Sequence, residues 1–204
     1  MKNHITIKTL AVAGVVAALA TSAQAQFSGK WWTGDGSGNA DNIPSGAPTS
    51  TFTATAINFA VNDSDSQTLN DWLGANGTVT SGPGTTIMDN SHVELTGQLF
   101  LNAGVNNFEI GHDDGVDVTV AGATVAGADQ PGPTSFNLTD FTITAGAAGE
   151  YDFTVEYNEC CGGPADLEWT DMNGTPINTP DAATTGALLG AAFSGLALAR
   201  RFRK

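Results

Sequence analysis

Asn106-Asn107-Phe108-Glu109-Ile110-Gly111-His112-Asp113-Asp114-Gly115-Val116-Asp117-Val118-Thr119-Val120 reads as two strand patterns joined by a polar link. Phe108 and Ile110 flank Glu109; Val116, Val118 and Val120 flank Asp117 and Thr119. Apolar side chains at every second residue are the mark of a half-buried β-strand. The same period runs outward in both directions. Upstream, Val93, Leu95, Leu99 and Leu101 alternate with polar residues. Downstream come Phe136 and Leu138, then Phe141 and Ile143, then Tyr151, Phe153, Val155 and Tyr157, with Leu167 and Trp169 closing the series. Residues 51–60 are strand-like, with a slip of phase near Ile57 of the kind a bulge produces. The one helical window is short, Thr68 to Leu73. Many short strands separated by Gly, Asn and Pro turns predict an all-β fold, a single antiparallel β-sandwich. The turn-rich stretch 27–50 contains Trp31-Trp32, expected as a plug of the core.

Charge narrows the function. The chain has 204 residues and a net charge of −14, but six of its seven bases lie at the ends: Lys2, Lys8, Arg200, Arg201, Arg203 and Lys204. Residues 26–180 hold 20 acids against the single base Lys30, a net charge of −19. Such a body cannot neutralise phosphates, so nucleic acid and anionic lipid are excluded as partners of its surface. It favours cations instead.

The two ends read as addresses. Lys2 and Lys8, the uncharged stretch Leu10–Ala20 and Ala23-Gln24-Ala25 fit a secretory signal peptide over 1–25. Residues 179–204 carry Thr179-Pro180-Asp181, an uncharged run from Gly186 to Ala199 and a basic end containing Arg200 and Arg201. That run is shorter than the ~20 residues of a comfortable membrane span. This three-part tail resembles the PEP-CTERM class of bacterial sorting signals, closest to its V-P-D-S-G variant; Thr179 departs for valine and Ala182-Ala183 for Ser-Gly. The resemblance implies an exported protein, held transiently in the inner membrane, processed by an exosortase and delivered to the cell surface or extracellular matrix. A plain tail anchor is the alternative.

Between the ends no catalytic set stands out. His92 and His112 have no nucleophile near them in sequence, and Gly34-Asp35-Gly36-Ser37-Gly38 has no helix pattern after it, as a phosphate loop requires. The sharpest local feature is Asp113-Asp114-Gly115. Read locally, it is a hairpin turn of type I′ or a pair of hard oxygen ligands of the kind Ca²⁺ takes. The only cysteines, Cys160 and Cys161, are neighbours. Export to an oxidising compartment allows a vicinal disulfide, with free thiols or an intermolecular link as alternatives. Such a bridge would stiffen the loop after Tyr157.

The run 106–122, with F-N-L-T-D-F-T-I-T-A-G-A-A-G-E-Y-D-F-T-V-E-Y-N-E-C-C-G-G-P-A-D-L-E-W after it, resembles the lectin-like β-sandwich domain first recognised in anthrax protective antigen. Yeast flocculins, epithelial adhesins, fibro-slime proteins and glycosidase inserts share that domain. In its sugar-binding members a cis-linked aspartate pair and a later asparagine hold Ca²⁺, which coordinates a sugar diol. The resemblance implies Asp113, Asp114 and Asn158 as metal and ligand-binding residues, with Cys160 and Gly162 as carbonyl donors. The match is close over residues 107–169 and loose over 27–106; with the two ends set aside, the length allows a single domain over 26–178. The expected function is a non-enzymatic, Ca²⁺-dependent module binding extracellular glycan or exopolysaccharide. The rivals are a structural matrix protein without a sugar site and a small glycosidase.

Overall fold

The computed structural model describes residues 26–34 and 37–178. The expected signal peptide and the sorting tail, with Pro180, Asp181, Arg200 and Arg201, lie outside them. The described chain is an antiparallel β-sandwich. Its first sheet has seven strands in the order β4 (Gly77–Ser81), β2 (Ser50–Ala54), β1 (Phe27–Thr33), β5 (Ser91–Leu101), β11 (Gly149–Glu159), β7 (Gly115–Val120) and β9 (Asp129–Gln130). The second has five: β3 (Asn58–Val61), β12 (Ala165–Asp171), β6 (Gly104–Asp113), β10 (Asn137–Ala145) and β8 (Ala123–Ala126). Every pairing is antiparallel.

The period-two residues make the core. Val93, Leu95, Phe108, Ile110, Val116, Val118, Phe153, Val155, Tyr157, Leu167 and Trp169 are all buried between the sheets. Trp169 is fully enclosed, with the rings of Phe108, Phe141 and Phe153 at 5.2–5.7 Å. The two adjacent tryptophans point to opposite faces of β1, as strand geometry demands. Trp31 enters the core, while Trp32 is buried on the outer face, donating from Nε1 to the Gly46 carbonyl at 2.9 Å. The helical window becomes α1 (Leu69–Leu73), started by a capping box between Thr68 and Asp71.

Three expectations are corrected. The phase slip near Ile57 is not a bulge in one strand: residues 55–57 carry the chain from β2 in one sheet to β3 in the other. Asp114-Gly115 is not a hairpin turn, because β6 and β7 belong to different sheets and do not pair. Phe136 and Leu138 do not continue the core; they are 48% and 53% exposed, and the inward phase of β10 starts at Phe141.

At one pole of the sandwich the chain crosses between sheets three times, at Asp113-Asp114 and over residues 131–136 and 160–164. The opposite pole holds the end of β5; beyond β12 the chain turns over 171–175 and runs back beside Thr170 and Trp169 to Asn178, the last described residue, which bridges to Ala56. Trp169→Ala is expected to cost ~3–5 kcal/mol by emptying the centre of the core. Urea unfolding should show a correspondingly lower midpoint with little change in slope.

Candidate metal centre

The three crossings are tied to one another. Gly115 begins β7 where a Cβ would lie 2.1 Å from the Pro131 carbonyl oxygen and 2.8 Å from that of Gly38, so only glycine fits. His112, buried, donates from Nδ1 to the main-chain carbonyl of Asp114 at 2.6 Å. Asp113 and Asp114 are joined by a cis peptide bond. Asp114 accepts the N–H of Thr134 at Oδ1 (3.0 Å) and that of Cys160 at Oδ2 (2.8 Å). Asp113 accepts the main-chain N–H of Phe136. The segment 131–136 therefore wraps the pair from one side and the 160–163 loop from the other.

Cys160 and Cys161 are disulfide-bonded. A Cβ on Gly38 would lie 2.6 Å from the Cys160 sulfur and 2.9 Å from Pro133 Cβ, so glycine lets the chain pass between them, and Cys161 stays exposed. Gly162 donates its N–H to Asp89 Oδ1 at 3.3 Å. Both expected carbonyl donors, Cys160 and Gly162, thus lie in the loop that braces the aspartates.

The carboxylates of Asp113, Asp114 and Glu159 approach one another within 4.8 Å. Glu159 was not foreseen. It ends β11 on the same inward face as Phe153, Val155 and Tyr157, and it is fully buried. An acid closing an apolar alternation is a signal in itself, because an enclosed carboxylate needs a partner. Its Oε2 lies 2.9 Å from the Tyr157 hydroxyl, while Oε1 is enclosed without a hydrogen-bond partner. Asn158, one residue earlier, turns to the opposite face of the strand. There its Nδ2 meets His92 Nδ1 at 3.4 Å, and His92 Nε2 meets Glu156 Oε2 at 2.9 Å. The residues gathered at the pole are therefore Asp113, Asp114 and Glu159, with Asn158 directed away from that inner face.

Electrostatics at the pole favour either protons or a cation. Burial, then repulsion from Asp114, raises Asp113 to about 6. Burial also raises Asp114 and Asp166. Glu159 is pushed to about 9, first by burial and then, against the nearby hydroxyls of Ser64 and Tyr157, by the charges of Asp114 and Asp113. The hydrogen bonding agrees. The Tyr157 hydroxyl faces both Asp113 O and Glu159 Oε2, and its one proton cannot satisfy both acceptors. A proton on Glu159 resolves this by donating to the tyrosine oxygen while tyrosine donates to Asp113. A divalent ion could take the place of that proton. The donor set is hard oxygen, which suits Ca²⁺; the sulfurs near Asp114 are locked in a disulfide and are poor ligands.

No protein-family model and no curated protein matches the sequence. Among solved structures the chain is similar to the PA14 domain of the MpAFP antifreeze protein, with a TM-score of 0.59 and 20% identity over 77% of this chain and 87% of that one. It is also similar to the PA14 sugar-binding domain from an RTX adhesin, with a TM-score of 0.54 and 22% identity over 76% and 95%. The fold is thus a PA14-like β-sandwich.

The raised acids set a pH dependence. Between their unfolded values near 4 and their folded values, the native state holds protons that the unfolded chain has released. Stability therefore falls as pH rises through that window, to about 6 for Asp113 and about 9 for Glu159. The metal-free protein is expected to lose melting temperature steadily from pH 5 to pH 9. Glu159→Gln should flatten the part above pH 6. A wild-type melting temperature constant over that range would show that Glu159 is not held protonated.

Proposed function

We propose that this protein is a Ca²⁺-dependent carbohydrate-binding module of an exported adhesin. The observation carrying this reading is the convergence of Asp113, Asp114 and Glu159 at one pole, with an enclosed and unpartnered oxygen on Glu159. Glu159 replaces Asn158 as the third side-chain ligand in the proposal, because β11 directs Asn158 onto His92. An ion fixed by the carboxylates from the protein side keeps coordination positions for vicinal sugar hydroxyls. Sharing its fold with the sugar-binding domain of an RTX adhesin supports the ligand class.

The protein's residues would do three things. Asp113, Asp114 and Glu159 would hold the ion. The N–H groups of Thr134 and Cys160 fix the orientation of Asp114. The disulfide-bonded loop would shape one side of the sugar pocket. We read the module as non-enzymatic. The expected signal peptide and exosortase-processed tail would place it outside the cell, among extracellular glycans.

Calorimetry of the purified protein is expected to show one Ca²⁺ bound per chain, lost in Asp113→Ala/Asp114→Ala. EDTA should abolish binding to a glycan array, and added Ca²⁺ should restore it. Glycan binding that survives both EDTA and the double substitution would overturn the ion's role. Absence of both Ca²⁺ and glycan binding would leave a purely structural matrix module.

A further inference from the structure

Beside the aspartate pair lies an apolar ledge that the core does not use. Phe136 and Leu138 stand outward on the five-stranded sheet, 48% and 53% exposed. Register places them next to the pole: Asn137 is opposite His112 and Leu138 opposite Gly111, so Phe136 falls beside Asp113. Phe136 donates its main-chain N–H to the Asp113 carboxylate, which fixes its backbone at the site.

Gly111 supplies the seat. A Cβ there would stand 3.1 Å from Phe136 Cε2 and Cζ and 3.3 Å from Leu138 Cδ1. The missing side chain lets both apolar groups rest on the backbone of β6. A ring held in this way loses little freedom when a ligand covers it. Across the strand, Asp166 is in register with Asp113 and Glu168 with Gly111, so carboxylates flank the ledge. Among the described residues the one base is Lys30, in β1 of the other sheet and paired with Glu94 at 2.6 Å.

Resting on the function proposed above, we propose that Phe136, extended by Leu138, is the stacking platform for the apolar face of a neutral hexose whose vicinal hydroxyls sit on the ion. An exposed aromatic face beside polar groups suits a sugar ring, which presents C–H on its faces and hydroxyls at its edge. The flanking carboxylates accept hydrogen bonds from hydroxyls and repel an anionic sugar. Phe136 is then a specificity residue that touches the ligand but not the ion.

The test uses the full chain loaded with Ca²⁺ and titrated with methyl glycosides of glucose, galactose, mannose and fucose, with methyl glucuronide as the anionic probe. For the sugar that the wild type binds best, Phe136→Ala is expected to weaken binding about tenfold, equivalent to ~1.4 kcal/mol. Phe136→Tyr should retain it, and Ca²⁺ affinity should stay unchanged in both. If Phe136→Ala fails to fold, Phe136→Leu keeps the bulk without the aromatic face and should show the same loss. Full sugar affinity in a folded Phe136→Ala or Phe136→Leu protein overturns the platform and leaves the Ca²⁺-dependent reading standing. Glucuronide bound more tightly than every neutral sugar overturns the neutral class. A wild type that binds Ca²⁺ but no sugar, or that binds no Ca²⁺, overturns the functional reading itself and the platform with it.

Discussion

A strand that leaves one sheet for the other must give up its ladder for the length of the crossing, and its peptide groups need partners elsewhere. Here three crossings occur at the same pole, at Asp113-Asp114 and over residues 131–136 and 160–164, and they become one another's partners. Cys160 donates its N–H to Asp114, Tyr157 donates to the Asp113 carbonyl, and His112 donates to the Asp114 carbonyl. The pole is thus a small polar structure built on the rim of an apolar core. Its carboxylates are oriented by main-chain donors before any ligand arrives, the condition for binding with little rearrangement.

Burial then turns that structure into a charged problem with a chemical solution. Three carboxylates within 4.8 Å cannot all be ionised cheaply away from water. Protons are one remedy and a divalent ion is the other, and the two compete for the same oxygens. The acidity of the rest of the body is a different matter. It lies in exposed side chains such as Asp140, Glu150 and Asp152, which water already solvates, and in half-buried ones such as Glu94 and Glu109.

Much of the fold was legible because period two is a direct record of which face is buried. Val93 to Leu101, Phe108 to Val120 and Phe153 to Trp169 fell into their strands with the expected residues inward. The failures share one cause: alternation shows a face but not a sheet. It could not show that residues 55–57 or Asp114-Gly115 step between layers, nor that the outward face of β10 begins with two large apolar residues. At the site, Asp113 and Asp114 were legible as a pair. The resemblance points to Asn158, whereas the alternation Phe153, Val155, Tyr157, Glu159 turns the neighbouring acid inward. Residues 131–136 carry no side-chain signature, since they serve the aspartates through backbone N–H groups.

The placement of the two poles has a mechanical consequence. Asp113 ends β6 at the site pole, and β12, its antiparallel neighbour, runs away from that pole to Asp171, where the chain turns back along Thr170 and Trp169 to Asn178. A ligand pulling on Asp113 and a tether pulling beyond Asn178 would first peel this short return from β12, and would then draw β12 and β6 past each other along their length. The bonds between Asp166–Asp113 and Asp171–Phe108 run across that direction. They would take the force together, in shear, instead of opening one after another like a zip.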